Sequence, residues 1–218
     1  MKTLSLLIPT IKSRKHLLNR LYDHLQPQLT TEVEVLIEED DGEAQIGHKR
    51  NLLLKRAQGE YVAFIDDDDL VSPNYVHSIL TALESRPDVV GFKLGRYSNG
   101  EYKGYTVLST TEAAKDPDQV GFSINLSQPS KLLHRTIHLN PTKRSIALLY
   151  EFQNTSAGED IAWANKIASH IKSEVYVDEI LYNYHWVAHN LRNENSVMSR
   201  QRQVLVTLGI IDEENNLL

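Results

Sequence analysis

Four consecutive aspartates, Asp66 to Asp69, follow directly on an apolar run from Tyr61 to Ile65. The run has the length of a buried strand, so the strand would deliver four carboxylates to one point. Two like charges about 4 Å apart repel by roughly 4 kcal/mol at a protein surface, which makes such a cluster costly without a positive charge among it. Mg²⁺ or Mn²⁺, which prefer oxygen ligands, would relieve that repulsion. The alternative is a solvated acidic turn, but ligands bind at the carboxyl ends of strands in α/β sheets.

A second pair of carboxylates, Glu159 and Asp160, follows Gly158 at the start of a helical pattern. Carboxylates in the first turn of a helix are stabilised by the helix dipole, and this role alone would explain Glu159. Neighbouring residues at a helix start point in different directions, so only one of the two can face a substrate. One of the two is therefore a candidate for acid–base chemistry.

The first half of the chain alternates short apolar runs with amphipathic helical patterns. The predicted elements are strands at 4–8, 33–37, 61–65 and 89–92, with helices starting near Ser13, spanning 46–57 and starting at Ser72-Pro73. This β-α-β-α-β-α-β order predicts an α/β fold, with a mainly parallel sheet covered by helices on both faces.

The second half has weaker signals. Residues 93–130 show no clear periodicity, which predicts irregular strands and loops. These would form a small antiparallel subregion. Beyond them, the sequence predicts a helix from Asn140-Pro141, a helix after Gly158, short strands at 174–177 and 180–184, and a last helix at 199–208. We expect one domain over 1–218, in which residues 1–92 and residues 93–218 form two unlike halves.

Composition narrows the function classes. The chain has 218 residues, a formal charge of −6 and no cysteine, so thiolate nucleophiles, zinc-thiolate sites and iron–sulfur clusters are excluded. The acidic balance gives no clear nucleic-acid patch. The longest apolar stretches fall short of the roughly 20 residues of a membrane span. We expect a soluble, cytoplasmic protein and leave peripheral membrane association open.

The order of the motifs resembles that of family-2-type glycosyltransferases of the GT-A fold, which is Rossmann-like, and the resemblance covers nearly the whole chain. The matching segments are Leu6-Leu7-Ile8-Pro9-Thr10, Asp40-Asp41-Gly42, Lys49-Arg50-Asn51, Gly59-Glu60-Tyr61, Asp66-Asp67-Asp68 with Pro73, and Gly158-Glu159-Asp160. Each motif is weak alone, but their common order makes the resemblance specific.

The resemblance implies that residues 1–92 are a nucleotide-binding half and residues 93–218 an acceptor-binding half, and it implies a role for each matching residue. Thr10 and Asp41 would contact the nucleotide base, Asp66 or Asp67 the ribose, and Asp68 the metal, Mn²⁺ or Mg²⁺. His185 would also reach the metal or the diphosphate. Lys49 or Arg50 would pair with the diphosphate, or else with the acidic turn at 38–41. Asp160 would be the general base, with Glu159 as the runner-up, and residues 138–144 would close over the donor sugar or the acceptor.

The implied activity is a metal-dependent, inverting transfer of a hexose or pentose from a nucleotide-diphosphate sugar, with UDP favoured, to an acceptor hydroxyl. A glycan, a lipid-linked intermediate, a protein or a modified nucleobase would each serve as the acceptor. A sugar nucleotidyltransferase is one alternative, although residues 9–15 lack the glycine of its phosphate loop. A catalytically silent nucleotide-binding member of the fold is another. A calcium loop starting at Asp66 fails, because Val71 and His77 stand where glycine and glutamate are needed.

Overall fold

The computed structural model describes residues 2–115 and 130–186, and these residues form one nine-stranded sheet with six α-helices. The strands are β1 (Leu4–Ile11), β2 (Val33–Asp40), β3 (Tyr61–Phe64), β4 (Leu70–Val71), β5 (Val89–Ser98), β6 (Glu101–Leu108), β7 (Ser130–His134), β8 (Thr142–Lys143) and β9 (Glu174–Trp186). The helices are α1 (Lys15–Leu25), α2 (Ile46–Arg56), α3 (Tyr75–Leu83), α4 (Thr110–Lys115), α5 (Arg144–Ala147) and α6 (Glu159–Ala168).

The sheet has the order β2-β1-β3-β8-β5-β6-β7, and β9 pairs with both β5 and β4. Strand β1 lies parallel to β2 and to β3, as the strand-helix alternation predicts. The short strand β8 runs antiparallel to both β3 and β5, so β5 is parallel to β3. The predicted fold class is confirmed: the sheet is mainly parallel, and antiparallel pairings occur in its second half.

The core lies on both faces of the parallel strands, because alternate residues of a strand point to opposite faces. Leu6 of β1 belongs to one apolar cluster, which includes Leu21 and the buried faces of α1 and α3. The next residue, Leu7, belongs to a second cluster, which includes Trp163 and the buried faces of α2 and α6. Leu6 and Leu7 are both fully buried, so β1 is a central strand covered by helices on each side.

The prediction of irregular structure is wrong for residues 93–108, which form regular strands. Strand β5 continues to Ser98, turns at Asn99-Gly100 and returns as β6. Asn99 and Gly100 have φ values of 50° and 83°, as the two central residues of a type I′ hairpin turn require. The region is therefore a regular antiparallel hairpin, which extends the sheet.

The predicted pair of short strands at 174–177 and 180–184 is also corrected. Both belong to one strand, β9, which pairs in parallel with β5. The pairing register shifts where Phe92 and Lys93 of β5 face Val177 and Ile180, so an irregularity replaces the expected turn. The helix predicted at 199–208 lies outside the described residues.

Residues 138–144 lie inside the fold, and they do not close over a site as predicted. The Asn140 side chain is fully buried and donates hydrogen bonds to the backbone oxygens of Val90 and Leu108, at 2.9 and 3.1 Å. The next residues form β8, and the predicted helix begins only at Arg144. This segment therefore joins β3 to β5, and its first residue, His138, lies at the carboxyl end of β3, where Phe64 donates a backbone hydrogen bond to its oxygen.

Candidate active site

The carboxyl ends of β1, β2 and β3 meet at one edge of the sheet, because the three strands are parallel neighbours. Thr10 lies near the end of β1, Asp40 ends β2, and Asp66 follows β3. The Thr10 hydroxyl donates a 2.6 Å hydrogen bond to Asp67 Oδ2, which ties the tips of β1 and β3 together. The edge predicted from the sequence therefore exists, and it gathers the aspartates with the end of β2.

Each of the four aspartates pairs with a different set of donors. Asp66 pairs with Arg50, Asp67 with Thr10 and Arg14, Asp68 with Arg14, and Asp69 with the Tyr182 hydroxyl and the His185 backbone N–H. Arg14 Nη2 lies 2.6 Å from Asp67 Oδ1 and 2.5 Å from Asp68 Oδ2, so one guanidinium bridges both carboxylates. Protein donors therefore relieve much of the repulsion that the sequence implies.

The aspartates differ in their affinity for protons. Burial acts to raise the pKa of Asp66, but the charge and hydrogen bond of Arg50 outweigh it and hold that pKa well below its usual range. Burial, together with the charges of Asp66 and Asp68, raises the pKa of Asp69 well above its usual range. The surroundings therefore favour the ionised form of Asp66 and disfavour the ionised form of Asp69.

The start of α6 separates the two adjacent carboxylates predicted there. Gly158 precedes the helix with φ of 76°, a left-handed conformation that favours glycine. Glu159 turns inward, is 3% exposed and pairs with the equally buried Arg50. Asp160 turns outward: its side chain is 29% exposed, and its Oδ1 accepts a 2.9 Å hydrogen bond from the Ile161 N–H. Of the two carboxylates, Asp160 is the one that a substrate can reach.

His138 lies between the tip of β3 and the start of α6. Its Nε2 is 3.6 Å from Asp66 Oδ2, and its Nδ1 is 3.5 Å from Asp160 Oδ2. Arg50 Nη2 contacts the same Nε2 at 3.0 Å and also pairs with Asp66. The structure thus brings Asp66, Asp160 and Arg50 together around one buried imidazole.

Helix α2 supplies the two basic residues predicted from the sequence, and both are buried. Lys49 Nζ donates a 2.7 Å hydrogen bond to the Thr10 backbone oxygen and pairs with the Asp40 carboxylate. Burial tends to raise the pKa of Asp40, but hydrogen bonds from Lys49 and from the amides of Ala44 and Gly42 lower it to about 2. Lys49 therefore pairs with the acidic turn, which is one of the two predicted alternatives.

Asp41 lies at the outer rim of the same edge. Its side chain is 58% exposed, and it forms a 2.6 Å ion pair with Lys12, which is also exposed. Asp41 is therefore open to a ligand at the end of β2. The Thr10 hydroxyl is already engaged by Asp67, so Thr10 holds Asp67 in place.

His185 of β9 contributes its backbone and its ring to different neighbours. Its N–H donates a 2.8 Å hydrogen bond to Asp69 Oδ1, and its imidazole stacks on Tyr97 at 4.9 Å between ring centroids. Burial lowers the pKa of His185, as does the positive charge of Arg20, while Asp68 acts in the opposite direction. The imidazole thus lies within electrostatic range of Asp68.

Asp68 is the aspartate best suited to a metal shared with a ligand. Its side chain is 36% exposed, and its partner Arg14 is exposed to the same extent. Within residues 2–115 and 130–186, no group of three or more histidine, aspartate or glutamate side chains is arranged to hold a metal ion. Mg²⁺ commonly binds through one or two carboxylates plus substrate phosphates and water. The residues present fit that kind of site and not an all-protein cage.

The sequence prediction missed several residues that shape this edge. Arg14 bridges Asp67 and Asp68, and Arg20 donates a 2.7 Å hydrogen bond to the Asp68 backbone oxygen. The Tyr182 hydroxyl lies between Asp69 Oδ2 and the Asp66 N–H, at 2.8 and 3.1 Å. The available signals were the clustered bases after β1 and the alternating pattern of β9.

The match to a family of known sequences decides the identity. A family model described as Glycosyl transferase family 2 matches residues 35–147, which is more than half of the chain. The chain belongs to glycosyl transferase family 2. The matched range runs from β2 to α5, so it includes the acidic edge, Arg50 and His138. No curated protein matches the sequence at a significant level.

Solved structures with a similar fold include crystal structures of S. aureus TarS. Residues 1–349 of TarS in complex with UDP-GlcNAc match with a TM-score of 0.65 at 17% identity, over 96% of this family 2 chain and 66% of that chain. The complex with UDP matches with a TM-score of 0.63 at 17% identity, over 100% and 67%. A longer TarS structure matches with a TM-score of 0.60 at 16% identity, over 94% and 40%.

These matches show a shared fold. The family 2 chain spans between 40% and 67% of the length of these three TarS chains. Within the described residues of the family 2 chain, no helix has the length and apolar character needed to cross a membrane.

Proposed function

We propose that this family 2 chain is a metal-dependent, inverting glycosyltransferase that moves a sugar from a UDP-sugar to an acceptor hydroxyl. The observation that carries the proposal is the position of Asp160. Its partly exposed carboxylate is separated from Asp66 only by the side chain of His138. It therefore lies beside the carboxyl ends of the parallel strands. A donor on that edge would have a base at its side.

The nucleotide would lie across the ends of β1 to β3. Asp41, which is exposed at the rim, can accept a hydrogen bond from the ring N–H of uracil. Asp67 would accept one from a ribose hydroxyl in addition to its contacts with Thr10 and Arg14. The fold is shared with TarS structures determined with UDP-GlcNAc and with UDP, which supports a uridine nucleotide as the first donor to test.

Asp160 would act on the acceptor. As the acceptor oxygen attacks the anomeric carbon, its proton passes to the Asp160 carboxylate, which the Ile161 N–H holds through Oδ1. The new bond forms on the face opposite the nucleoside diphosphate while the bond to the diphosphate oxygen breaks. This single displacement inverts the anomeric configuration. Glu159, buried against Arg50, is not placed to receive that proton.

The leaving diphosphate gains negative charge, which the site must neutralise. Asp68 would hold Mg²⁺ or Mn²⁺, which supplies Lewis-acid stabilisation of the diphosphate when bound. Arg14 and Arg20 lie beside Asp68 and add positive charge at the same point.

A thermal-shift panel of UDP-, GDP-, CMP- and dTDP-sugars, with Mn²⁺ or with EDTA, tests the donor class. A ligand that binds the native state raises the melting temperature, and the shift grows with the logarithm of the ligand concentration divided by the dissociation constant. We expect UDP-sugars with Mn²⁺ to give the largest shift and EDTA to reduce it. A larger shift with another base would reject uridine, and no shift with any nucleotide would reject the proposed function.

A further inference from the structure

We infer that His138 is a positioning residue that orients Asp160 through its Nδ1–H, an inference that rests on the proposed role of Asp160 as the base. His138 is 4% exposed and is fixed at the carboxyl end of β3, where its backbone oxygen accepts a 3.2 Å hydrogen bond from the Phe64 N–H. The imidazole lies between Asp66, which is 72 positions earlier in the chain, and Asp160, which is 22 positions later. A buried imidazole with carboxylates on both sides needs a defined proton position.

Arg50 fixes that proton position. A guanidinium has only donors, and Arg50 Nη2 lies 3.0 Å from His138 Nε2, so Nε2 must accept with its lone pair. The other contact of Nε2, to Asp66 Oδ2, is longer, at 3.6 Å, so the Arg50 guanidinium is the nearer partner of this nitrogen. Arg50 and Asp66 are already joined directly, so Asp66 does not need the imidazole proton.

The proton of the neutral imidazole is therefore on Nδ1, the atom that faces Asp160. Nδ1 is buried and has no hydrogen-bond partner among the described residues, and Asp160 Oδ2 lies 3.5 Å from it. Catalytic hydrogen bonds are often long without substrate and shorten in the complex. Asp160 Oδ1 is held by the Ile161 N–H, so a bond from His138 to Oδ2 would fix the whole carboxylate plane.

Arg50 therefore has two roles, one in ion pairing and one in setting the tautomer of His138. Arg50 pairs with Asp66 and Glu159, and by donating to Nε2 it selects the tautomer that serves Asp160. The tip of β3, helix α2 and helix α6 are thereby linked through one imidazole. The orientation of Asp160 thus depends on contacts beneath the site that no substrate touches.

Imidazole ¹⁵N NMR of the intact protein tests the tautomer directly. Histidine-labelled protein is compared with His138→Asn to assign the resonances. We expect His138 to carry its proton on Nδ1, and we expect Asp160→Asn to shift that nitrogen more than Nε2. A proton on Nε2, or on both nitrogens, would overturn the inference whatever the turnover is.

Two variants test the consequence for turnover of a UDP-sugar. In His138→Asn the side-chain NH₂ comes nearest to Nδ1, whereas in His138→Gln the amide reaches the Nε2 position and leaves Asp160 without a donor. We expect His138→Gln to lower kcat by about tenfold or more, while the KM for the donor changes little. This loss is smaller than the roughly 10²- to 10⁴-fold effect of a general base, because Asp160 itself is still present. His138→Asn should recover part of kcat.

Equal kcat values for the two variants would overturn the inference. If His138 only filled space, both variants would impair turnover to the same extent. If wild-type protein turns over no nucleotide sugar, the proposed function fails. In that case the NMR result still decides whether His138 orients Asp160.

Discussion

Arg50 of α2 and Glu159 of α6 form an ion pair in which both side chains are almost completely buried, at 3% and 4% exposure. The pair joins two helices that cover the same face of the sheet. It also sets the direction of the neighbouring Asp160, because Glu159 occupies the inward position at the helix start. Glu159 therefore stabilises the packing of the two helices, while the carboxylate of Asp160 faces outward at the site.

Breaking this pair should be costly, since a buried charge left without its partner destabilises a protein by about 3–5 kcal/mol. We expect Arg50→Leu to cost more than Glu159→Leu, because Arg50 also pairs with Asp66, whereas Arg50 keeps Asp66 when Glu159 is removed. Urea denaturation would measure both free energies of unfolding. The double variant Arg50→Leu/Glu159→Leu is the control and should be less destabilised than the sum of the two. Losses below about 1 kcal/mol in both single variants would contradict the burial of this pair.

Asp40 should make stability depend on pH in the acid range. Its pKa is lowered from 3.8 to about 2, so its contribution is complete above about pH 4 and is lost as the pH falls towards 2. Because the carboxylate is partly solvated, we expect Asp40→Asn to cost about 1 kcal/mol at pH 6. That cost should shrink when urea unfolding is repeated at pH 3.

The matched control is Asp41→Asn, which removes the same charge at an exposed position one residue later. Exposed ion pairs contribute little to stability, so this variant should remain close to wild type at both values of pH. A cost for Asp40→Asn that stays constant from pH 6 to pH 3 would show that the contacts to Lys49 and the two amides do not stabilise the ionised carboxylate.

Asp68 should govern the effect of metal on donor binding. Isothermal titration calorimetry of UDP with Mn²⁺ and with EDTA gives the gain in affinity that the metal provides. We expect Asp68→Asn to remove at least a tenfold part of that gain, which is about 1.4 kcal/mol. Glu101→Gln, an exposed carboxylate on β6, is the control and should keep the full gain. Equal gains in wild type and Asp68→Asn would exclude Asp68 as a metal ligand.

The parallel half of the fold could be predicted because its signals are local. Each strand is a short apolar run, and each is followed by a helical pattern that ends at proline or glycine. Parallel neighbours bring their carboxyl ends to one edge, so the convergence of Thr10, Asp40 and Asp66 follows from the order of elements alone. The edge was therefore predictable without knowledge of any contact.

The network beneath the edge could not be predicted in the same way. A single histidine such as His138 carries no periodic signal, and its contacts with Asp66 and Asp160 depend on how β3, β8 and α6 pack. The same holds for Arg14, which the sequence places after β1 without indicating that it reaches two aspartates. Long-range pairing decides these contacts, and composition does not encode it.

The hairpin of β5 and β6 is a different case, because its signal was present. Asn99-Gly100 is a dipeptide that favours a type I′ turn, and the tyrosines around it are typical strand residues. The scattered polar residues of this stretch obscured the alternation. Strand β9 was divided in the prediction because Asp178 and Glu179 look like a turn, whereas the sheet absorbs them in a shift of register.

The most direct test of sugar transfer at this edge is UDP release from a UDP-sugar by wild type and by Asp160→Asn, with the donor dissociation constants measured in parallel. Asparagine keeps the size of the side chain and its bond from Ile161 but cannot accept the acceptor's proton. We predict that release falls by about 10²- to 10⁴-fold while donor affinity changes by less than a few-fold. Release from Asp160→Asn within a few-fold of wild type would contradict the role of Asp160 as the base.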